Sequence, residues 1–221
     1  MARILIIGAS GGIGSALVST HKNRGDVVVA LSRSVDGFDI TDQASVSEHL
    51  SAMDGDFDRI IVATGALEID GNGPEKTIKA IDADAMAQQF AVNAIGPALV
   101  LAHAGRLLAK GRPTCFAVMS ARVGSIADNR LGGWISYRAA KSALNQIVRT
   151  SAIELARSHP QSCVVSLHPG TVVSAFTAKY LGRHPAVEPA KAADSLASVM
   201  DGLDASNTGG FFDYTGATVD W

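Results

Sequence analysis

Short apolar runs alternate with longer stretches of helical periodicity along the whole chain. Arg3–Ile7, Val27–Leu31, Arg59–Ala63, Thr114–Met119, Cys163–Leu167 and Gly210–Asp213 read as strands. Several are β-branched runs without polar alternation, the pattern of strands covered on both faces. Between them, the spacing of apolar positions predicts helices near Ile13–Arg24, Gln43–Met53, Ala83–Leu108, Tyr137–Ser158 and Pro189–Leu203. Helix-start signals agree: Thr41-Asp42 precedes the second helix and Glu188-Pro189 the last, suiting a cap and a first-turn proline. This alternation predicts an α/β fold, a doubly wound parallel sheet of Rossmann type flanked by helices. No low-complexity linker, charge block or short-period repeat divides the chain, so residues 1–221 read as a single domain.

Composition narrows the function classes. Of 221 residues 47% are apolar and 18% charged, which suits a globular core and excludes a disordered chain. Lys and Arg number 19 against 21 Asp and Glu, a net charge of −2. That balance gives no broad field for nucleic acid or anionic lipid, and neither is expected as a partner. Cys115 and Cys163 sit in strand-like runs and read as buried, reduced thiols. Ile4–Ile7 meets glycine at Gly8, too soon for the core of an export signal. The most membrane-like stretch, Phe90–Ala109, is interrupted by Asn93, Pro97, His103 and Arg106 and reads as a buried helix. A cytoplasmic protein is the expectation.

Candidate chemistry begins at Gly8-Ala9-Ser10-Gly11-Gly12-Ile13-Gly14, directly after one predicted strand and before a helix. A tight turn there lets backbone approach a phosphate that side chains would obstruct, and the helix offers free N–H groups and its positive dipole end. Strand before and helix after favour a dinucleotide site over a mere turn. A fold preferring NAD places Asp or Glu about 20 residues beyond the glycines, on the ribose hydroxyls. Here the second strand ends in Leu31-Ser32-Arg33-Ser34, and a guanidinium beside hydroxyls suits a 2′-phosphate. A solvated surface arginine is the plain alternative. In Tyr137-Arg138-Ala139-Ala140-Lys141 the i, i+4 spacing puts phenol and ammonium on one helix face. A close cation lowers a phenol's pKa from near 10 and makes it a usable acid or base. Alone, such a pair is commonly just a surface contact.

The glycine turn, Asn93 in Phe90-Ala91-Val92-Asn93-Ala94-Ile95-Gly96, Ser120 after a strand, Tyr137-x-x-x-Lys141 and His168-Pro169-Gly170-Thr171-Val172-Val173-Ser174 occur in one order. Together they resemble the short-chain dehydrogenase/reductases over essentially the full chain. Gly124–Asn129, Gly132–Arg138 and the Trp221 ending resemble the C-factor and Sniffer-like carbonyl reductase branch. The resemblance implies that Tyr137 donates a proton to a carbonyl oxygen, Lys141 lowers its pKa and binds the nicotinamide ribose, Ser120 holds the substrate oxygen, and Asn93 holds a relay water. It implies Asp39-Ile40 at the adenine, Pro169, Gly170 and Val172 at the nicotinamide amide, and Ser174 as an assisting hydroxyl. Gly8, Ser10, Gly11, Gly12, Ile13 and Gly14 would cradle the pyrophosphate. His168 has no partner at metal-ligand spacing and reads as a strand-end residue; no metal is expected.

Two departures stand out. The family commonly has Asn-Asn-Ala-Gly after the fourth strand, whereas this chain has Val62-Ala63-Thr64-Gly65, leaving backbone contacts of Ala63, Thr64 and Gly65 to the adenosine ribose. The serine spacing is also long: Ser120 lies 17 residues before Tyr137 and Ser125 lies 12 before it. Ser125 falls after Gly124, in the loop, whereas Ser120 follows a strand directly; either remains open as the polarising hydroxyl. Thr171–Val187, with Phe176, Tyr180 and Leu181, is available to close over a substrate or simply to pack. The leading expectation is an NADPH-dependent reductase of a small carbonyl compound with NADP(H) as cofactor. A dinucleotide-binding signalling protein with weak or no turnover is the alternative. The resemblance implies a homodimer or homotetramer.

Overall fold

The computed structural model describes residues 1–173, 177, 179 and 186–221. Six strands form one parallel sheet: β1 Arg3–Ile7, β2 Val27–Leu31, β3 Arg59–Val62, β4 Thr114–Met119, β5 Ser162–His168 and β6 Phe211–Asp213. Their spatial order is β2-β1-β3-β4-β5-β6. The helices are α1 Gly12–Asn23, α2 Arg33–Asp36, α3 Gln43–Ser51, α4 Ala83–Phe90, α5 Gly96–Leu101, α6 Ala104–Leu107, α7 Ile135–Leu155 and α8 Pro189–Asp201. From β1 the chain steps to one side for β2 and to the other for β3. A crevice opens outside the carboxyl ends of strands at such a switch point, and open α/β sheets bind ligands there.

Period-2 alternation sends the strand residues into two cores. Leu5, Ile7, Ile60, Val62, Phe116 and Val164 pack on one face with Leu50, Val100, Leu107, Leu144 and Val148. Ile4, Ile6, Ile61, Ala117, Val165 and Leu167 pack on the other with Leu17 of α1 and Leu196 and Met200 of α8. This two-sided burial is the Rossmann-type layering that the unbroken apolar runs predict. Cys115 and Cys163 face each other in the β4–β5 register as buried free thiols. Among the described residues no helix is long and apolar enough to cross a membrane.

One predicted element differs. The helix expected over Ala83–Leu108 is divided into α4, a π turn at Ala91–Ile95, α5 and α6. Pro97 lacks the N–H that an α-helix would give to the carbonyl of Asn93. Gly96 meets Ile40 so closely that a Cβ there would lie 2.9 Å from the Ile40 side chain. Insertions of this kind recur at functional sites, and Asn93 lies within it. The remaining boundaries shift by one to three residues, as at β3, which ends at Val62, and α7, which starts at Ile135.

Candidate functional site

The glycine turn lies at the β1 end of the switch point. Gly8 has φ 85°, and a Cβ on it would meet Thr64 at 2.9–3.0 Å. Gly14 is tighter: its Cβ would lie 2.1 Å from the Gly8 carbonyl oxygen. Helix α1 is therefore seated hard against the turn. Its N-cap, Gly11, supplies no side-chain cap and its first turn holds no acid, while Ser10, Gly11 and Gly12 are exposed and Ile13 is half-buried. Opposite, beyond β3, the Thr64 hydroxyl is buried without a hydrogen-bond partner. Uncapped N–H groups, a close-packed glycine cradle and an orphaned hydroxyl fit a dinucleotide's phosphates and ribose.

At the carboxyl end of β2 the Arg33 side chain is exposed. The Ser32 hydroxyl is not open to a ligand: it is buried, caps Val35 N at 3.3 Å and donates to Asp36 at 3.2 Å. Asp39 is likewise engaged, its carboxylate accepting from Thr41 N and Oγ1 at 2.9 and 2.7 Å. Those bonds, and then the charge of Arg33, hold its pKa below the usual carboxylate range. Ile40 is buried against Gly96.

Four candidate residues converge beyond β3 and β4. Lys141 Nζ, almost fully buried, donates to the Met119 carbonyl at 2.8 Å, and Ser120 follows Met119. Ser120 Oγ donates to Asn145 Oδ1 at 2.7 Å. Asn93 accepts from Ala66 N at 3.1 Å and donates to Ala66 O and Gln89 Oε1, both at 2.8 Å, so both its amide hydrogens are engaged. A Cβ on Gly65 would lie 3.2 Å from Asn93 Oδ1 and 3.5 Å from Lys141 Nζ, which locates both side chains at one point on the β3 edge. Lys141 Nζ stands 5.9 Å from the centre of the Tyr137 ring.

The protonation balance of this pair differs from the sequence expectation of a phenol lowered by its neighbour. Burial pushes the Tyr137 phenol up and the Lys141 ammonium down to about 7. Both charged forms lose their water on burial, which disfavours each of them. The resting pair is a protonated phenol beside an amine that titrates near neutrality.

Beyond β5, Gly170 has φ 78° and lies against the Tyr214 ring, Pro169 is half-buried, and Val172 is buried and bridges to Val187. Ser174, Phe176, Tyr180 and Leu181 lie outside the described residues. His168 ends β5 opposite Asp213. Ser125 lies in the loop between β4 and α7, directly after the turn Arg122–Gly124, yet it is buried, and its Oγ accepts from Asp128 N at 3.0 Å. A cleft of about 620 Å³ opens between Tyr137, Ala121, Gly170 and Thr171.

The chain matches, over residues 8–208, the family described as enoyl-(acyl carrier protein) reductase. It belongs to the short-chain dehydrogenase/reductases. Two curated relatives are the 1-hydroxy-2-glutathionyl-2-methyl-3-butene dehydrogenase of Rhodococcus sp. (strain AD45), 28% identical with both chains fully covered, and the C-signal of Myxococcus xanthus. The latter is 36% identical over 64% of this chain and 81% of its own. A short-chain dehydrogenase/reductase from Burkholderia multivorans, solved with bound NADP, is 25% identical with a TM-score of 0.79, covering 100% of this chain and 99% of its own. Carbonyl reductase Sniffer of D. melanogaster shares the fold, with a TM-score of 0.80 at 19% identity and full coverage of both chains.

Three residues of this short-chain dehydrogenase/reductase were not singled out by sequence. Asn145, one turn beyond Lys141, accepts the Ser120 hydroxyl hydrogen bond. Gln89 braces Asn93 and donates to Leu67 O at 3.0 Å. Glu75 fastens the start of α7: its carboxylate accepts from Ser136 N at 3.2 Å and from Ser136 Oγ, and its carbonyl from Trp134 N at 2.5 Å. Asn145 follows the i, i+4 rule from Lys141 and was findable; Glu75 is 61 residues from Ser136 and carries no local signal.

Proposed function

We propose that the chain is an NADPH-dependent reductase that converts an aldehyde or ketone to an alcohol. The observation that carries this reading is the convergence of Asn93, Lys141 and the Ser120 edge of β4 on one point next to the glycine cradle. NADPH held by Gly8–Gly14, Arg33, Asp39-Ile40, Ala63–Gly65 and Pro169–Val172 would supply hydride to the carbonyl carbon. The protein's part is the proton and the positioning. Tyr137 Oη gives its proton to the carbonyl oxygen as the electron pair reaches carbon, leaving phenolate and alcohol. Burial keeps the phenol protonated until then, so it serves as an acid rather than a base. Lys141, protonated below about pH 7, stabilises the phenolate and hydrogen-bonds the nicotinamide ribose. Ser120 Oγ holds the substrate oxygen. With both Asn93 amide hydrogens engaged, Asn93 holds a relay water through a carbonyl oxygen, and Pro97 offers no N–H to its backbone one. A cytoplasmic homodimer or homotetramer built as one domain belongs to the same proposal.

The likeness to C-signal supports a second reading, a signalling protein that binds the dinucleotide without turnover. NADPH oxidation followed by absorbance against a panel of aldehydes and ketones separates the two. Tyr137→Phe is expected to lose nearly all turnover and to bind NADPH close to wild type, read by protein-to-nicotinamide energy transfer; retained reduction above a few per cent would remove Tyr137 from the reaction. Arg33→Ala is expected to raise KM for NADPH about 10- to 150-fold, the worth of one charge-assisted contact to phosphate, and KM for NADH far less. Equal weakening of both cofactors would mean that Arg33 only supports the loop.

A further inference from the structure

Three guanidinium groups, those of Arg122, Arg130 and Arg138, line the cleft on which the buried Tyr137 also borders, and the acid lining it is Asp128. They are not equivalent. Arg122 is paired with Asp213 at 2.9 Å and with Asp128 at 3.5 Å, so that carboxylate is already engaged. Arg138 donates Nε–H to the Gly133 carbonyl at 2.9 Å and a terminal N–H to the Val123 carbonyl at 3.3 Å. Carbonyls occupy two of its five donors, and Asp128, which acts on its charge through space, is already paired with Arg122. Burial, which strips water from that guanidinium, also lowers its pKa below the ordinary arginine value. Arg130 is exposed on the cleft wall and forms no hydrogen bond or ion pair among the described residues. Leu67, Leu131 and Trp134 supply apolar surface to the same cleft. The whole chain carries a net charge of −2, so this cationic wall runs against the sign of the molecule.

We propose that the substrate is a carbonyl compound with an apolar body and a carboxylate remote from the reacting carbon, the carboxylate being received by Arg130 and Arg138. A planar guanidinium binds a carboxylate through two parallel charge-assisted hydrogen bonds, and Arg138 retains unoccupied terminal N–H groups for this. Positive charge in a concave site also raises the local concentration of an anionic substrate and its rate of entry. The proposal rests on the reductase reading above and adds the substrate class to it.

The test compares 4-carboxybenzaldehyde with its neutral methyl ester, methyl 4-formylbenzoate, as substrates with NADPH. The carboxylate is expected to have the higher kcat/KM, by about 10-fold at low salt, with the advantage shrinking as sodium chloride is raised. The readout is the acid-to-ester ratio, which cancels changes common to both substrates. Arg130→Gln is expected to cut that ratio several-fold and Arg130→Lys to restore part of it. An ester reduced as well as or better than the acid, or a ratio untouched by Arg130→Gln and by salt, overturns the carboxylate proposal and leaves the reductase reading standing. If neither aldehyde is reduced, the reductase reading fails for these compounds and binding decides the substrate class. Trp134 fluorescence, in a Trp221→Phe background with NADP+, then reports titration by 4-carboxybenzyl alcohol and by its methyl ester. Tighter, salt-sensitive binding of the acid supports the anionic site; equal binding overturns it.

Discussion

Ser120 Oγ carries a single proton, and the structure directs that proton to Asn145 Oδ1 at 2.7 Å. A hydroxyl so committed can accept a hydrogen bond but cannot donate to a carbonyl oxygen that develops negative charge. Holding a substrate oxygen therefore requires Asn145 to yield the proton, and an amide, a neutral acceptor, gives it up more readily than a carboxylate would. Asn145→Asp is accordingly expected to lower kcat toward the 10²–10³-fold loss typical of a missing oxyanion donor, the size also expected for Ser120→Ala. The double variant should be little worse than either single one, and a double-mutant cycle on kcat measures this. Independent, multiplying losses would show that Asn145 acts on the fold and not through Ser120. At this scale the sequence placed Ser120 at the strand edge, because an apolar run ending in a polar residue is a local signal. Which way its proton points depends on Asn145, a residue of α7 that only tertiary packing brings to β4.

The elements that hold the site differ in how plainly the chain announces them. All six strands and the helices α1, α3, α7 and α8 were legible, since unbroken apolar runs and helical spacing each act over one short segment. The π turn at Ala91–Ile95 was not. Apolar periodicity continues through it, and its causes, Pro97 withholding an N–H and Gly96 pressed on Ile40, are local and tertiary respectively. The turn carries Asn93 to Ala66, just past Gly65. A Cβ on Gly65 would stand 3.2 Å from Asn93 Oδ1 and 3.5 Å from Lys141 Nζ, so one methyl group must push the Asn93 amide aside by a few tenths of an ångström while only touching Lys141. Gly65→Ala is thus expected to cost about 1 kcal/mol of stability but about 10-fold in kcat, because small displacements in a positioned site are amplified in rate. Thermal melting beside steady-state kinetics tests the split. An unchanged kcat would detach Asn93 from the reacting centre.

The molecule as a whole closes its sheet on both faces, and at the cleft edge of that closure a half-buried titratable group is held toward its neutral form. His168 ends β5 opposite Asp213, and its Nδ1 is buried without a hydrogen-bond partner. Burial pushes its pKa down from 6.5 to about 4, the Arg122 charge pushes the same way, and Asp213 only partly opposes them. The unfolded chain takes up this proton near pH 6.5 while the folded chain refuses it until about pH 4, so unfolding gains protons between those values. Stability is thus retained above about pH 6.5 and lost as pH falls through that window. A shift of this size corresponds to about 3 kcal/mol, a large part of the 5–15 kcal/mol typical of a domain. His21, His103 and His159 are also held low by burial and steepen the same loss, whereas His49 is raised and opposes it. The His168 contribution is therefore read as a difference. Urea unfolding of wild type and His168→Asn at several pH values from 7 to 4 is expected to show the wild type losing about 3 kcal/mol more than the variant. Parallel curves would mean that His168 takes its proton in the folded molecule too, and that the β5 end admits the charge.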